Sequence, residues 1–224
     1  MSQIIVRTSS NLTLLGGGKT RPDELAEALS VAPCLVAADS GATFALRYGH
    51  VPQKVIGDMD SISDAVRKRL DAGSLHEIED QESSDFDKAL RSVSAPLVLG
   101  VGFLGRRVDH QLANFNVLVR RHTQPCILLG KRDIVLATPP RISLQLAPGT
   151  RVSLFPMSHV RGRSRGLHWS IDGLDLDPAG KIGTSNQVAD TASCVELEFD
   201  TPGMLLILPR TALGATMAGL RQNN

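Results

Sequence analysis

The chain has 224 residues, 42% of them hydrophobic and 21% charged, enough to bury a sizeable core in one large or two small domains. Its formal net charge of +1 supplies neither a basic field to recruit nucleic acid nor an acidic excess to keep a chain unfolded, so partners must be argued from sites. Cys34, Cys126 and Cys194 lie far apart without CxxC or HxxxH spacing, which speaks against a disulfide framework or a zinc site and for buried thiols in a reducing compartment.

Leu12-Thr13-Leu14-Leu15 reads as a strand entering the glycine turn Gly16-Gly17-Gly18, and Pro22 opens a helix through Leu25, Ala28 and Leu29. Residues 34–38 read as a buried strand, about 42–48 as a helix closed by Gly49, 54–56 as a third strand and 63–70 as a polar-faced helix. Residues 97–101 and 126–129 are further apolar strands, with a helix from about Asp109 to Arg121 between them. Strands alternating with helices predict a mostly parallel sheet flanked by helices.

Past Pro139-Pro140 the helical periodicity fades. Residues 141–146, 151–155, 167–171, 195–199 and 204–208 read as short strands between Gly, Pro, Asp and Ser turns. The expectation is an α/β domain over 1–138, then an all-β sandwich or barrel over 139–224. The basic stretch Arg161-Gly162-Arg163-Ser164-Arg165 reads as a solvated loop. No leader pattern and no run of bilayer length stands out, so a cytoplasmic protein without a membrane or nucleic-acid partner is expected.

Acidic residues gather after the predicted strands of the first domain, where open parallel sheets bind ligands. They are Asp39, Asp58 and Asp60 in Gly57-Asp58-Met59-Asp60-Ser61, Asp85 and Asp87 in Ser84-Asp85-Phe86-Asp87-Lys88, and Asp109 after a glycine-rich turn. An extended D-x-D sends both carboxylates to one side, a donor set suited to Mg²⁺ and hence to phosphoryl or diphosphoryl transfer. Lys88 and Arg107 could meet phosphate oxygens. Each segment also has a local reading: Ser84 with Asp87 as a capping box, Asp109 as an N-cap, Asp58 and Asp60 as turn residues.

Gly18-Lys19-Thr20 ends like a P-loop, but Thr13 stands where that motif needs its first glycine, so a Walker-type site is rejected. Gly16 and Gly17 can still let backbone approach a phosphate or nucleobase, or simply turn the chain.

The segments Leu15-Gly16-Gly17, Ala38-Asp39-Ser40-Gly41-Ala42, Gly57-Asp58-Met59-Asp60-Ser61, Ser84-Asp85-Phe86-Asp87-Lys88-Ala89-Leu90, Gly105-Arg106-Arg107-Val108-Asp109-His110, Gly166-Leu167-His168-Trp169 and Ser185-Asn186 follow one another in an order that resembles the thiamine pyrophosphokinase family. The resemblance spans nearly the whole chain. It implies attack of the thiamine hydroxyl on the β-phosphorus of ATP with release of AMP, by a homodimer. It also implies Asp58, Asp60 and Asp85 around Mg²⁺, with Gly16, Gly17, Asp39, Gln81, Ser84 and Lys88 on the ATP side. Arg107 and Asp109 would face the reacting groups, and Asp109, Trp169, Ser185 and Asn186 the thiamine, whose cationic ring an indole face attracts. Three positions depart from the family pattern: Ser40 and Arg106 replace glycines, and Ser84 replaces threonine. Two other readings follow: a pyrophosphokinase for another small alcohol such as a hydroxymethylpterin, or a thiamine or nucleotide sensor without turnover.

Overall fold

The computed structural model describes residues 3–105 and 107–222; Arg106, the most disruptive departure from the family pattern, lies outside them. The chain forms two compact units. The first runs to Val117 and takes in Thr123–Gly130, and the second takes Leu118–His122 and the chain from Lys131 onward. The division thus falls at Gly130/Lys131 rather than after Thr138, because Asp133–Ala137 pairs with Met204–Pro209 of the second unit.

Besides a short parallel pair, Val6–Arg7 with Val93–Ser94, the first unit contains β1 (Leu12–Leu15), α1 (Pro22–Val31), β2 (Cys34–Ala38), α2 (Gly41–Arg47), β3 (Lys54–Gly57), α3 (Asp64–Arg67), β4 (Leu75–Glu77), α4 (Asp85–Arg91), β5 (Val98–Val101), α5 (Val108–Arg120) and β6 (Cys126–Leu129). The strands pair in parallel in the order β6-β5-β1-β2-β3-β4. Strands β1, β2, β5 and β6 are buried along their whole length, which is why they read as unbroken apolar runs. The chain steps outward from β1 to β4, then returns to β5 on the other side of β1. The crevice beyond the carboxyl ends of β1 and β5 is therefore the topological switch point.

The second unit contains β7 (Asp133–Ala137), β8 (Arg141–Gln145), β9 (Arg151–Pro156), β10 (Val160–Arg165), β11 (Asp175–Leu176), β12 (Gly183–Gln187), β13 (Cys194–Phe199), β14 (Met204–Pro209) and α6 (Leu213–Arg221). Two antiparallel sets form, β12-β9-β14-β7 and β8-β13-β10-β11, as a sandwich reading requires. Strands β8 and β13 alternate buried with outward residues. Among the described residues no helix is long and apolar enough to cross a membrane.

Several expectations change. The helix read over 63–70 covers only Asp64–Arg67. Residues 167–171 form no strand beyond an isolated Leu167–Val188 bridge. The stretch read as a basic loop is strand β10, with its arginines exposed on alternate positions. The second unit also ends in a helix, α6, which buries Leu213, Thr216, Met217 and Leu220. That i, i+3, i+4, i+7 stripe is helical, although Gly214 and Gly219 obscure it in the sequence.

Candidate active site

A cleft of about 670 Å³ opens at the carboxyl ends of the parallel strands and is walled by residues of the first unit alone. Every strand-end loop from β1 to β5 contributes: Gly17, Gly18 and Lys19 after β1, Asp39 and Ser40 after β2, Asp58 and Ser61 after β3, Ser83, Ser84 and Asp85 after β4, Gly102, Phe103 and Arg107 after β5. Close backbone packing builds its floor. A Cβ on Gly41 would lie 2.0 Å from the Leu15 carbonyl oxygen, and one on Gly18 2.2 Å from that of Gly102. Ser40, where the family pattern has glycine, sits at φ −57 with its hydroxyl over Gly17, so the substitution costs no backbone strain.

Three carboxylates and one ammonium dominate the electrostatics. Lys88, on α4 and 1% exposed, reaches Asp58 Oδ2 at 2.8 Å and stands 3.6 Å from Asp85 Oδ1. That hydrogen bond holds the Asp58 carboxyl below its ordinary range. Burial, then the charges of Asp39 and Asp58, push Asp85 upward. Burial alone would lower the Lys88 ammonium, but its contacts with Asp58 and Asp85 outweigh it and raise it. Asp39 is 3% exposed at φ +42, and its Oδ1, like that of Asp85, is buried without a hydrogen-bond partner. Buried polar atoms without a partner are uncommon and call for an explanation; among the described side chains two of the three stand here, the third being His76 Nε2.

Asp60 departs from expectation. The D-x-D stretch is not extended: Met59 takes φ +63 and buries its side chain against Ala37, Ala42, Leu46 and Val55. The period-two alignment is lost, and the Asp60 N–H donates to Asp58 Oδ1 at 3.3 Å while its own side chain is exposed and off the cleft wall. Burying Met59 decides the turn. Among the described residues no group of three or more His, Cys, Asp or Glu stands ready to hold a metal. The donor chemistry nevertheless fits a hard divalent cation. Asp39, Asp58 and Asp85 offer only oxygen, and Oδ1 of Asp39 and of Asp85 lack a hydrogen bond, the latter standing 3.6 Å from the Lys88 ammonium.

Around this centre, Ser84 caps α4, its hydroxyl accepting from the Asp87 N–H at 3.3 Å. Arg91 donates to Asp80 Oδ2 at 2.8 Å and to Asp87 Oδ2 at 3.3 Å. Asp80 also accepts from the Ser83 hydroxyl and the Glu82 N–H, so this clamp pins the loop that delivers Ser83, Ser84 and Asp85. Nothing in the sequence pattern singled out Asp80 or Arg91; only their i, i+11 meeting in space reveals them. Gln81, in the same loop, is exposed and off the cleft wall. Phe86 and Phe103 pack at 4.5 Å between centroids, and Asn114 Nδ2 holds the Phe103 carbonyl at 2.8 Å.

Arg107 lines the cleft and bonds Asp109, Nε to Oδ1 at 3.1 Å, which holds the Asp109 carboxyl down to about 2. Asp109 lies inside α5 rather than at its cap, and both side chains are about two-thirds exposed, at 67% and 62%. Gly16 is buried beneath the ring of Phe103 and leaves the wall to Gly17.

The remaining expected residues meet in the second unit. The Trp169 N–H donates to Asn186 Oδ1 at 3.2 Å, and Asn186 Nδ2 returns a bond to the Trp169 carbonyl at 2.7 Å. Ser185 takes φ +63, and its N–H donates to Ser153 Oγ at 3.1 Å. This scaffold leaves the indole 57% exposed, edge-on to His168 at 4.4 Å. Trp169 is thus exposed while Asn186 holds both its N–H and its carbonyl.

The chain is similar to several known proteins. Residues 25–129 match the family profile "Thiamin pyrophosphokinase, catalytic domain". Thiamine pyrophosphokinase 1 of Arabidopsis thaliana is 29% identical over 175 residues, covering 70% of this chain and 66% of the plant protein, just under two thirds of its length. The thiamin pyrophosphokinase of Candida albicans superposes with a TM-score of 0.72 at 15% identity, covering 93% of this chain and 94% of the other. The thiamine pyrophosphokinase of Bacillus subtilis gives 0.69 at 20%, covering 89% and 98%. The structural likenesses establish the fold, and the profile match covers 105 of the 224 residues, so the likeness to thiamine pyrophosphokinases in sequence is carried by the first unit.

Proposed function

We propose that the protein transfers a diphosphate from ATP to the hydroxyl of thiamine, giving thiamine diphosphate and AMP. The observation that carries this reading is the convergence of Asp39, Asp58 and Asp85 on one cleft, with oxygens of Asp39 and Asp85 buried without a hydrogen bond. Carboxylates gathered in this way suit a nucleotide arriving with a divalent cation. Asp58 and Asp85, with the free oxygen of Asp39, would hold Mg²⁺; Asp60 is the member of the expected set that the geometry does not bring in. When bound, the cation neutralises phosphate charge and aligns attacker with leaving group.

The chain's own residues then have distinct tasks. Lys88 keeps Asp58 ionised and fixed in place. The Asp80–Arg91–Asp87 clamp holds the loop carrying Ser84 and Asp85. Arg107, steadied by Asp109, offers a guanidinium to phosphate oxygen. In the reaction the thiamine hydroxyl oxygen bonds to the β-phosphorus, the bond from that phosphorus to the oxygen shared with the α-phosphate breaks, AMP leaves with the bond pair, and the hydroxyl proton passes to solvent. Trp169, Ser185 and Asn186 are the proposed thiamine contacts, with the cationic ring against the indole. A cytoplasmic homodimer is the proposed setting.

The test is to incubate the protein with ATP, Mg²⁺ and thiamine and follow both products. AMP and thiamine diphosphate should rise together, one for one. Turnover with a hydroxymethylpterin and none with thiamine would move the assignment to another alcohol. Binding of ATP and thiamine without AMP would leave a sensor.

A further inference from the structure

The Gly16-Gly17-Gly18-Lys19-Thr20 turn is no P-loop, yet the fold carries it to the switch-point crevice beyond β1 and β5, where open parallel sheets take their ligands. Two anchors fix it. The Gly18 N–H donates to the Gly102 carbonyl at 3.0 Å, tying the turn to the loop after β5. On the other side of Lys19, the Thr20 carbonyl accepts the Tyr48 hydroxyl at 2.6 Å, and Thr20 itself is 4% exposed. Lys19 is the exposed residue between these anchors, and it lines the cleft.

Its charge is uncommitted. The other basic side chains here are engaged: Lys88, buried behind the cleft wall, with Asp58 and Asp85, and Arg107 on the wall with Asp109. Among the described residues no hydrogen bond or ion pair occupies the Lys19 ammonium. An exposed ammonium on a fixed turn, lining an acidic cleft without pairing to its carboxylates, is placed for an incoming anion. Most of the negative charge of ATP lies on its β- and γ-phosphates. We propose that Lys19 binds the β,γ-diphosphoryl group of the nucleotide, as a point charge. This rests on the diphosphotransfer reading and adds a residue outside the motif set that suggested it.

The experiment is calorimetric titration of the full chain, with Mg²⁺ and without thiamine, using ATP and AMP against wild type, K19M and K19R. Losing one charge-assisted contact should weaken ATP roughly ten- to a hundredfold in K19M. AMP, which lacks the two outer phosphates, should change by less than about twofold. K19R should keep most of the ATP affinity, with melting midpoints unchanged throughout. K19Q serves as a second neutral variant if K19M does not fold. Equal losses for ATP and AMP, or none for ATP, would overturn the assignment. Wild type that binds ATP but makes no thiamine diphosphate would refute the proposed reaction, while the comparison of ATP with AMP still decides Lys19. Wild type that binds neither nucleotide would end both.

Discussion

The carboxylates of the two units live under opposite conditions. In the first unit Asp39, Asp58 and Asp85 crowd a cleft around one buried lysine, and two of their oxygens have no hydrogen-bond partner. In the second, acidic and basic residues sit opposite one another on an exposed sheet face, Arg141 on Glu198 at 2.8 Å and Arg165 near Glu196 at 3.8 Å. Exposed pairs of this kind contribute little to stability, whereas buried like charges are tolerated only where something else requires them. An acidic residue that its own fold leaves unneutralised is thus a better guide to function than one in a well-formed ion pair.

Removing a cleft carboxylate should have the largest effect. Asp58→Asn keeps the shape and loses the charge, so kcat should fall about a thousandfold with the melting midpoint nearly unchanged. Turnover close to wild type would take Asp58 out of the metal site. Lys88→Met attacks the same centre from the other side. With Lys88 side chain 2% exposed, its loss leaves Asp58 and Asp85 facing each other, and should cost about 3 kcal/mol of stability. Mg²⁺ should raise the melting midpoint of this variant more than that of wild type, because a cation relieves the same repulsion. An identical Mg²⁺ response in both would argue that the ion binds elsewhere.

Trp169→Ala tests the exposed indole of the second unit. Loss of one cation–π and stacking surface should raise KM for thiamine roughly tenfold while leaving KM for ATP unchanged. A general loss of both would mean that Trp169 holds structure instead. Arg91→Met acts only through the loop it clamps, so kcat should drop about fivefold, with partial recovery in Arg91→Lys. Its pH behaviour has a definite sign. The bonds from Ser83 and Arg91 depress the Asp80 carboxyl in the folded state. The stabilisation is therefore complete above the unfolded carboxylate value and is lost as pH falls through the folded one. The melting deficit of Arg91→Met should be flat from about pH 6 to 8 and shrink in acid.

How much of this was legible in the sequence follows the same division between buried and exposed. Strands β1, β2, β5 and β6 are buried throughout, so they stand out as apolar runs, and their loops mark the cleft. Strand β4 has no buried residue, and β12, Gly-Thr-Ser-Asn-Gln, buries only Asn186; neither has an apolar pattern to read. Strand β10 hid behind its arginines, although Gly162 and Ser164 between them already kept period two. Motif order set Asp39, Asp58 and Asp85 after successive strands, and the fold carries all three to one cleft. It grouped Asp60 with them, whereas burial of Met59 turns the chain there, a tertiary demand that local spacing does not encode. Arg91 was invisible as a site residue, since what defines it is a partner eleven residues away, and Lys19 was set aside with the failed P-loop pattern because its pinned turn shows only in the fold.

The smallest effect should come from the ladder on the second unit. The side chains of Arg141 and Glu198 are 75% and 50% exposed, so water screens their attraction and both long chains lose rotamer freedom in meeting. A double-mutant cycle with Arg141→Ala and Glu198→Ala should give a coupling within about 0.5 kcal/mol, falling further in high salt. Coupling several times larger, or insensitive to salt, would mean that this face is desolvated in the working molecule. Its charges would then have to be read as those of the cleft are, as groups held in place for a partner.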